Sequence, residues 1–477
     1  MSKYKQLGKN TALVFIGNIG SKMIAFLMLP FYTKWLSVED YGTSDNALIY
    51  VSLLIGIVTL SISESIFIFP KDQDFKVQKR FFTSGLVYSG LLLIITGFVL
   101  YGVRGLLLKG NLLKSITDNM GYIYLLVVSL FFQTFLQQFS RSINSIKVYA
   151  ISGVVLTLLT TILSLILIPE YKLDGFFIAQ ILSFLISAAY TLVHSKSYQY
   201  FSLKELNFEK YGEMAKYSIP LIPNAIMWWL VGSLNRPLME EYLGMHAIGL
   251  FAVSNKFPSL INVLFSVFMV SWQISVIEEY KKENYKEFYN HIFKLVFAFL
   301  LLCVMMISVL SKTLTGLVAD AKFIESWKYI PILSLSVLFS SISGFVGCNF
   351  SATRESRYYF YSSVWGAVIA VVFNLILIPI WGLYGAVTAI VFSHLIMALS
   401  RIIYSWKIVK IEKIHLYLLM LVICLAVVLV SSFIQNNFII IITMFTGFIL
   451  LGLLMKKDVV LGLQMIKLKL KNNNEFK

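Results

Sequence analysis

Leu163–Ala188 reads LSLILIPEYKLDGFFIAQILSFLISA, and Phe373–Ala398 reads FNLILIPIWGLYGAVTAIVFSHLIMA. At an offset of 210, Pro169 falls on Pro379, Leu173 on Leu383, Gly175 on Gly385, Ala179 on Ala389 and Ser183 on Ser393. Each stretch is a pair of apolar runs joined by a short turn. A weaker echo aligns Tyr41-Gly42 with Ile248-Gly249 at an offset of 207. The spacing predicts a chain built from two related halves, each made of apolar hairpins.

The composition says what solvent those hairpins need. Apolar residues make up 58% of the 477 residues and charged ones 13%, roughly half the usual charged fraction of a soluble domain. A single core in water stops growing at about 250–300 residues. A bilayer-spanning helix needs about 20 mostly apolar residues. Runs of that kind predict an all-α polytopic membrane protein of about 14 transmembrane helices. They lie near 10–34, 44–69, 82–107, 120–143, 148–169, 173–194, 214–240, 247–277, 288–311, 329–350, 358–379, 382–404, 415–434 and 438–455. The start, MSKYKQLGK, runs straight into the first of these without a cleavage-site pattern, so that run is expected to be a permanent span.

Lys and Arg orient the array. With the N-terminus inside, the inside breaks collect Lys71, Lys76, Lys79 and Arg80; Lys196, Lys204, Lys210 and Lys216; Lys281, Lys282, Lys286 and Lys294; and Arg401, Lys407, Lys410 and Lys413. The outside breaks are poorer in cations, which by the positive-inside rule puts both termini in the cytoplasm. The net charge of +16 then belongs to cytoplasmic loops rather than to a nucleic-acid surface. Six spans separate the repeats, an even number, so both copies enter the membrane in the same direction. The expected plan is two parallel six-helix lobes, 1–195 and 214–406, joined by a cytoplasmic linker at 196–213. Two extra C-terminal helices follow at 407–456, then a basic cytoplasmic tail at 457–477. Parallel repeats related by an axis along the membrane normal are a transporter architecture with its ligand near the repeat interface.

Ionisable groups inside spans mark the candidate site, since each costs about 2.5–3.5 kcal/mol at the bilayer centre. Lys22 lies on a face with Asn18 and Ser21. Lys256 follows Asn255, and Arg236 follows Asn235. The repeat pairs the first span with the seventh and the second with the eighth, so these cations can line one cavity. An anion such as a phosphate or diphosphate suits them, because Arg binds phosphate in a fork and Lys as a point charge. Glu64 in the second span and Asp45 near its outer end could pair with a cation or take up a proton or Na⁺. Asp45 is close enough to the interface that a solvated position is expected for it. Gln133 and Gln137 share a stripe of the fourth span, where they could contact sugar hydroxyls or knit helices together. Cys303, Cys348 and Cys424 are isolated, and no metal-ligand spacing or nucleotide-binding loop is present. Transport is therefore the expected activity rather than catalysis, with no cofactor.

The stretch from Lys9 to Phe67 resembles the start of the Wzx-type polysaccharide flippases. The polar GNIGSK first helix, the LPFYTKWLS exit and the EDYG turn carry the likeness. These flippases belong to the multidrug/oligosaccharidyl-lipid/polysaccharide exporter superfamily, whose two six-helix lobes match the repeat. The resemblance implies a protein of the bacterial cytoplasmic membrane. Its substrate would be an undecaprenyl-diphosphate-linked oligosaccharide, flipped to the outer leaflet by alternating access for capsule, O-antigen or exopolysaccharide assembly. Polysaccharide polymerase and glycosyltransferases would be its candidate partners. It also implies that Lys22 and Lys256 are cavity cations, with Arg236 a weaker correspondence and Glu64 standing where many relatives carry an acid. A cation-coupled drug or metabolite antiporter of the same superfamily is the competing expectation, and it would require buried acids on both lobes.

Overall fold

The computed structural model describes residues 20, 23, 24, 26–107, 114–434 and 436–456. Every element among them is helical. Among the described residues, ten helices are long and apolar enough to cross a membrane, and a shorter apolar one spans Phe438–Leu454. The expected first span falls mostly outside the described residues, and only its end is seen, as α1 (Leu29–Trp35) with Pro30 in its first turn.

Helix α2 (Val38–Val58) begins where Ser37 and Asp40 form a capping box. The Ser37 hydroxyl accepts the Asp40 N–H at 2.9 Å, and the Ser37 N–H donates to the Asp40 carboxylate at 3.4 Å. The expected second span does not continue unbroken to residue 69. Leu60 and Ser61 both turn left-handed, and the chain restarts as α3 (Ile62–Ile68). At the break the Thr59 hydroxyl donates to the Ile55 carbonyl at 2.6 Å and the Ser61 hydroxyl to the Gly56 carbonyl at 3.2 Å.

Helices α4 (Phe75–Leu107), α5 (Lys114–Asp118) and α6 (Met120–Ser142) lead to α7 (Ile146–His194). At 1.5 Å per residue, 49 residues would extend for about 73 Å, more than twice the hydrocarbon core. Lys172 resolves this with φ 51°, ψ −123°, reversing the chain. A Cβ on Gly175 would lie 2.3 Å from the Leu167 carbonyl oxygen, eight residues earlier, an approach only a tight hairpin allows. The second repeat does the same. Gly382 has φ +57°, and a Cβ on Gly385 would lie 2.0 Å from the Leu377 oxygen. The offset of 210 read from the sequence is thus the same hairpin built twice.

Residues 196–213, expected as a plain linker, are strapped to the start of α4. Thr83 donates to the Tyr200 carbonyl at 3.0 Å and accepts the Ser202 N–H at 3.1 Å. Ser84 accepts the Asn207 N–H at 2.8 Å, and Arg80 pairs with Glu205 at 2.9 Å. The amphipathic α8 (Phe208–Ser218) then buries Tyr211, Met214, Ala215 and Ser218. Beyond it lie α9 (Ile222–Ser233) and α10 (Asn235–Glu279), the latter broken at Gly244 with φ +79°. These segments hold the expected seventh and eighth spans.

The rest of the chain forms α11 (Tyr285–Val318), α12 (Ile330–Thr353), α13 (Arg357–Trp381), α14 (Leu383–Ser405), α15 (Ile414–Phe433) and α16 (Asn437–Leu454). Two compact units result. One comprises residues 1–256, 318–324 and 363–393; the other comprises 257–317, 325–362 and 394–477. The second is centred on α12, whose apolar window is 83% buried. There the Trp272 ring stacks on Phe345 at 4.2 Å and its indole N–H donates to the Phe345 carbonyl at 3.1 Å.

The second unit also holds a cation that charge counting had placed in a cytoplasmic break. Arg401 is 1% exposed, within α14. It donates to the Ser343 carbonyl and to the Ser362 hydroxyl, each at 3.0 Å, with the Tyr359 ring 4.9 Å away. Positive-inside counting assigns a residue by its position along the chain and is blind to burial.

Candidate functional site

The 207 offset marks a helix crossing. A Cβ on Gly42 would lie 2.3 Å from the Met245 oxygen, and one on Gly249 would lie 2.0 Å from the Val38 oxygen. Val38 precedes Gly42 by one turn, as Met245 precedes Gly249. The contacts are therefore reciprocal, as for two equivalent helices crossing at a local two-fold axis. Only glycine on both sides allows such an approach.

Polar side chains lie along the helix faces that carry these glycines. Asp45 and Asn46 stand three and four residues after Gly42, and Lys256 stands seven after Gly249, about 10 Å along α10. Arg236, only 4% exposed, pairs its Nε with the Asp45 carboxylate at 3.2 Å. Its Nη1 donates to the Gly232 carbonyl at 2.9 Å and to the Asn235 side-chain oxygen at 3.1 Å, and its guanidinium lies 4.7 Å from the Phe251 ring centre. Such multiple anchoring fixes the cation as part of a built cluster.

Beside it lies a cavity of about 290 Å³. Tyr32, Asp45, Thr157, Thr161, Gln180 and Lys256 supply its polar wall. Hydroxyls and an amide around a mixed acid–base pair can bind a hydroxyl-rich or phosphorylated group. The Tyr32 hydroxyl is itself tied to Ser164 at 3.2 Å.

A second polar cluster, which sequence reasoning missed, centres on Glu240. One carboxylate oxygen accepts the Ser115 N–H at 2.7 Å. The other accepts the Ser115 hydroxyl at 2.9 Å and the Asn46 amide at 2.8 Å. This pins the short α5 to α2 and α10. Glu240 closes the expected seventh span beside Glu241, where no local pattern marks it, so only its partners reveal its role.

The expected site residues divide as follows. Arg236 pairs with Asp45, and Asp45 and Lys256 line the same cavity, with Asn255 half-buried next to Lys256. Lys22 and Asn18 lie outside the described residues. Glu64 is exposed in the first turn of α3. Gln133 and Gln137 form a ladder: Gln133 donates to Gln137 at 3.2 Å, and Gln137 donates to Ser152 at 3.0 Å and to the Tyr149 carbonyl at 3.3 Å. Their hydrogen bonds join α6 to α7.

Residues 7–274 match the family described as polysaccharide biosynthesis protein. The chain belongs to this family. The chain is 22% identical over 402 residues to the capsular polysaccharide biosynthesis protein CapF of Staphylococcus aureus, covering 82% of this chain and 97% of CapF. The fold is also that of solved transporters. The lipid II flippase MurJ, in an inward closed conformation, superposes with TM-score 0.72 over 94% of this chain and all of MurJ, at 14% identity. An inward-facing multidrug resistance MATE transporter of the MOP superfamily gives 0.65 over 82% of this chain and 94% of its own, also at 14% identity. This family member is thus a multi-pass membrane protein with the fold of the MOP-superfamily transporters.

Proposed function

We propose that the protein flips a diphosphate-linked oligosaccharide carried on undecaprenol across the bacterial cytoplasmic membrane, from the inner to the outer leaflet, for surface polysaccharide assembly. The observation that carries this reading is Lys256 and the Arg236–Asp45 pair, set beside a hydroxyl-lined cavity one to two turns from the Gly42/Gly249 crossing. The lipid tail stays in hydrocarbon throughout. The diphosphate and sugars need a polar path, because bare charge in lipid is costly. Lysine at the cavity wall supplies a counter-charge, and threonine, tyrosine and glutamine offer hydrogen bonds in place of water.

With both termini in the cytoplasm, the Gly42/Gly249 crossing lies toward the outer leaflet. Closure there and opening at the cytoplasmic end would admit substrate from the side on which it is made. Opening the crossing would then release it outward, in the manner of alternating access. Lys22 and Asn18 belong to the same proposed site by the repeat, and Glu64 remains a candidate for ion coupling. The ladder made by Gln133 and Gln137 favours helix pairing over sugar contact for those two residues.

Reconstitution tests the proposal. Liposomes carrying a short-sugar undecaprenyl-diphosphate lipid are probed with a membrane-impermeant sugar-modifying enzyme. Exposure of the lipid should rise above protein-free vesicles. Lys256→Gln should lower the rate about tenfold or more, the loss of one charge-assisted contact worth at least about 1.4 kcal/mol. Wild-type rates from the Lys256→Gln protein would remove that residue from the site. No exposure with several glycans, together with substrate-dependent H⁺ or Na⁺ movement, would favour an antiporter.

A further inference from the structure

Far along the chain from the transport site, the second unit contains a pocket of about 590 Å³. Its wall combines Asn290, His291 and Lys294 of α11, Lys413 and Leu416 at the start of α15, and Leu453, Leu454 and Lys456 at the end of α16. Three lysines and a histidine thus meet three leucines in one concavity. The volume falls in the range of small-molecule sites, about 300–1,000 Å³.

The pocket is built rather than incidental. Asn290 donates to the Lys410 carbonyl at 3.1 Å and accepts the Glu412 N–H at 2.8 Å, tying the segment before α15 to α11. The acid at the rim, Glu412, is engaged by Lys286 at 2.9 Å, and that hydrogen bond holds its carboxyl below the usual range. Its charge is therefore matched before any ligand arrives. Lys413 sits left-handed at φ 54°, a conformation uncommon for lysine, and no side chain caps the first turn of the 20-residue α15 behind it. The backbone N–H groups of that turn carry partial positive charge, and Lys413 and Leu416 of the same turn line the pocket.

Net positive charge beside leucines, at the ends of membrane-spanning helices, suits an amphiphile with an anionic head. We propose that this pocket binds the phosphate head group of an anionic membrane phospholipid, with its acyl chains running along Leu416, Leu453 and Leu454. Lys294, Lys413 and Lys456 would surround the phosphate as point charges. Basic pockets between the ends of transmembrane helices commonly take such head groups. The ligand would fasten α15 and α16 to α11, giving the C-terminal pair a lipid-dependent hold.

Binding of fluorescent phosphatidylglycerol to the purified full-length protein in neutral detergent tests this, with phosphatidylcholine, inorganic phosphate and undecaprenyl phosphate as competitors. Phosphatidylglycerol should displace the probe on the order of a hundredfold better than phosphatidylcholine. Each lysine removed should weaken it about fivefold, the factor for about 1 kcal/mol per basic residue near an anionic head. Lys413→Asn and Lys294→Gln serve as variants, asparagine being the residue that tolerates the left-handed turn. If a variant fails to fold, the salt dependence of wild-type binding reads the same charges. Equal displacement by phosphatidylcholine, or variants that bind as wild type, would overturn the proposal. Full competition by millimolar inorganic phosphate would make this a free-phosphate site instead. Preference for undecaprenyl phosphate through the same lysines would make it part of substrate recognition.

Discussion

Replacing Gly249 by alanine tests whether the reciprocal glycine crossing holds the bundle closed. The added Cβ would lie 2.0 Å from the Val38 oxygen, 2.8 Å from its Cγ1 and 2.9 Å from its carbonyl carbon. Restoring ordinary contact means moving α10 from α2 by roughly 1.4 Å, since two of the three clashing atoms, including the nearest, are backbone. Overpacking of this kind costs about 1–3 kcal/mol. Taken at about 2 kcal/mol, it shifts a closed–open equilibrium roughly 25-fold toward open. In an unconstrained helix the same change would stabilise by about 1 kcal/mol, so the sign separates the two cases. The assay combines thermal unfolding in detergent with labelling of Ser44→Cys by an impermeant maleimide, in a background lacking Cys303, Cys348 and Cys424. Gly249→Ala should melt earlier and label faster from outside. Gly42→Ala, facing the Met245 oxygen at 2.3 Å, should behave alike. The double variant should lose less than the sum, because one separation relieves both clashes. A Gly249→Ala protein as stable as wild type, with unchanged labelling, would refute the reasoning.

Asp45→Asn should destabilise by about 3 kcal/mol, since it leaves a nearly buried guanidinium without its counter-charge. Adding Arg236→Met should recover part of that loss, and a double-mutant cycle of melting curves reads the coupling. Arg401→Lys should not substitute for arginine, because an ammonium cannot reach Ser343 and Ser362 as a planar fork. We expect a loss of about 1.5–3 kcal/mol for each charged hydrogen bond forfeited. At the α4 strap, the Arg80 hydrogen bond depresses the Glu205 carboxyl below its ordinary value of 4.5. The contribution of this pair should be complete above that value and fade as pH falls through the lower folded one. Melting curves of wild type and Glu205→Gln should therefore converge in acid and separate near neutrality.

Some of this protein was legible in its residues alone. The apolar runs predict membrane helices because each residue's transfer free energy is local and adds along the chain. The 210 offset predicts two copies of one hairpin, and Pro169/Pro379 with Gly175/Gly385 recur where the backbone reverses and packs on itself. Even the weak 207 echo marked the glycines that cross. Lys256 and Arg236 stood out because charge is costly in a span, whereas Asp45 read as a solvated interfacial acid until its pairing with Arg236 was seen.

Partnership was decided only by the tertiary structure. Asp45 meets Arg236 across 191 positions and Asn46 meets Glu240 across 194, and no local pattern encodes either pairing. The break at Leu60-Ser61 was hidden within an apolar run, because hydropathy averages over a window and the reversal occupies only two residues. Arg401 read as a loop cation until packing enclosed it. Sequence determines what each residue costs in lipid or water; the fold determines which group stands close enough to offset that cost.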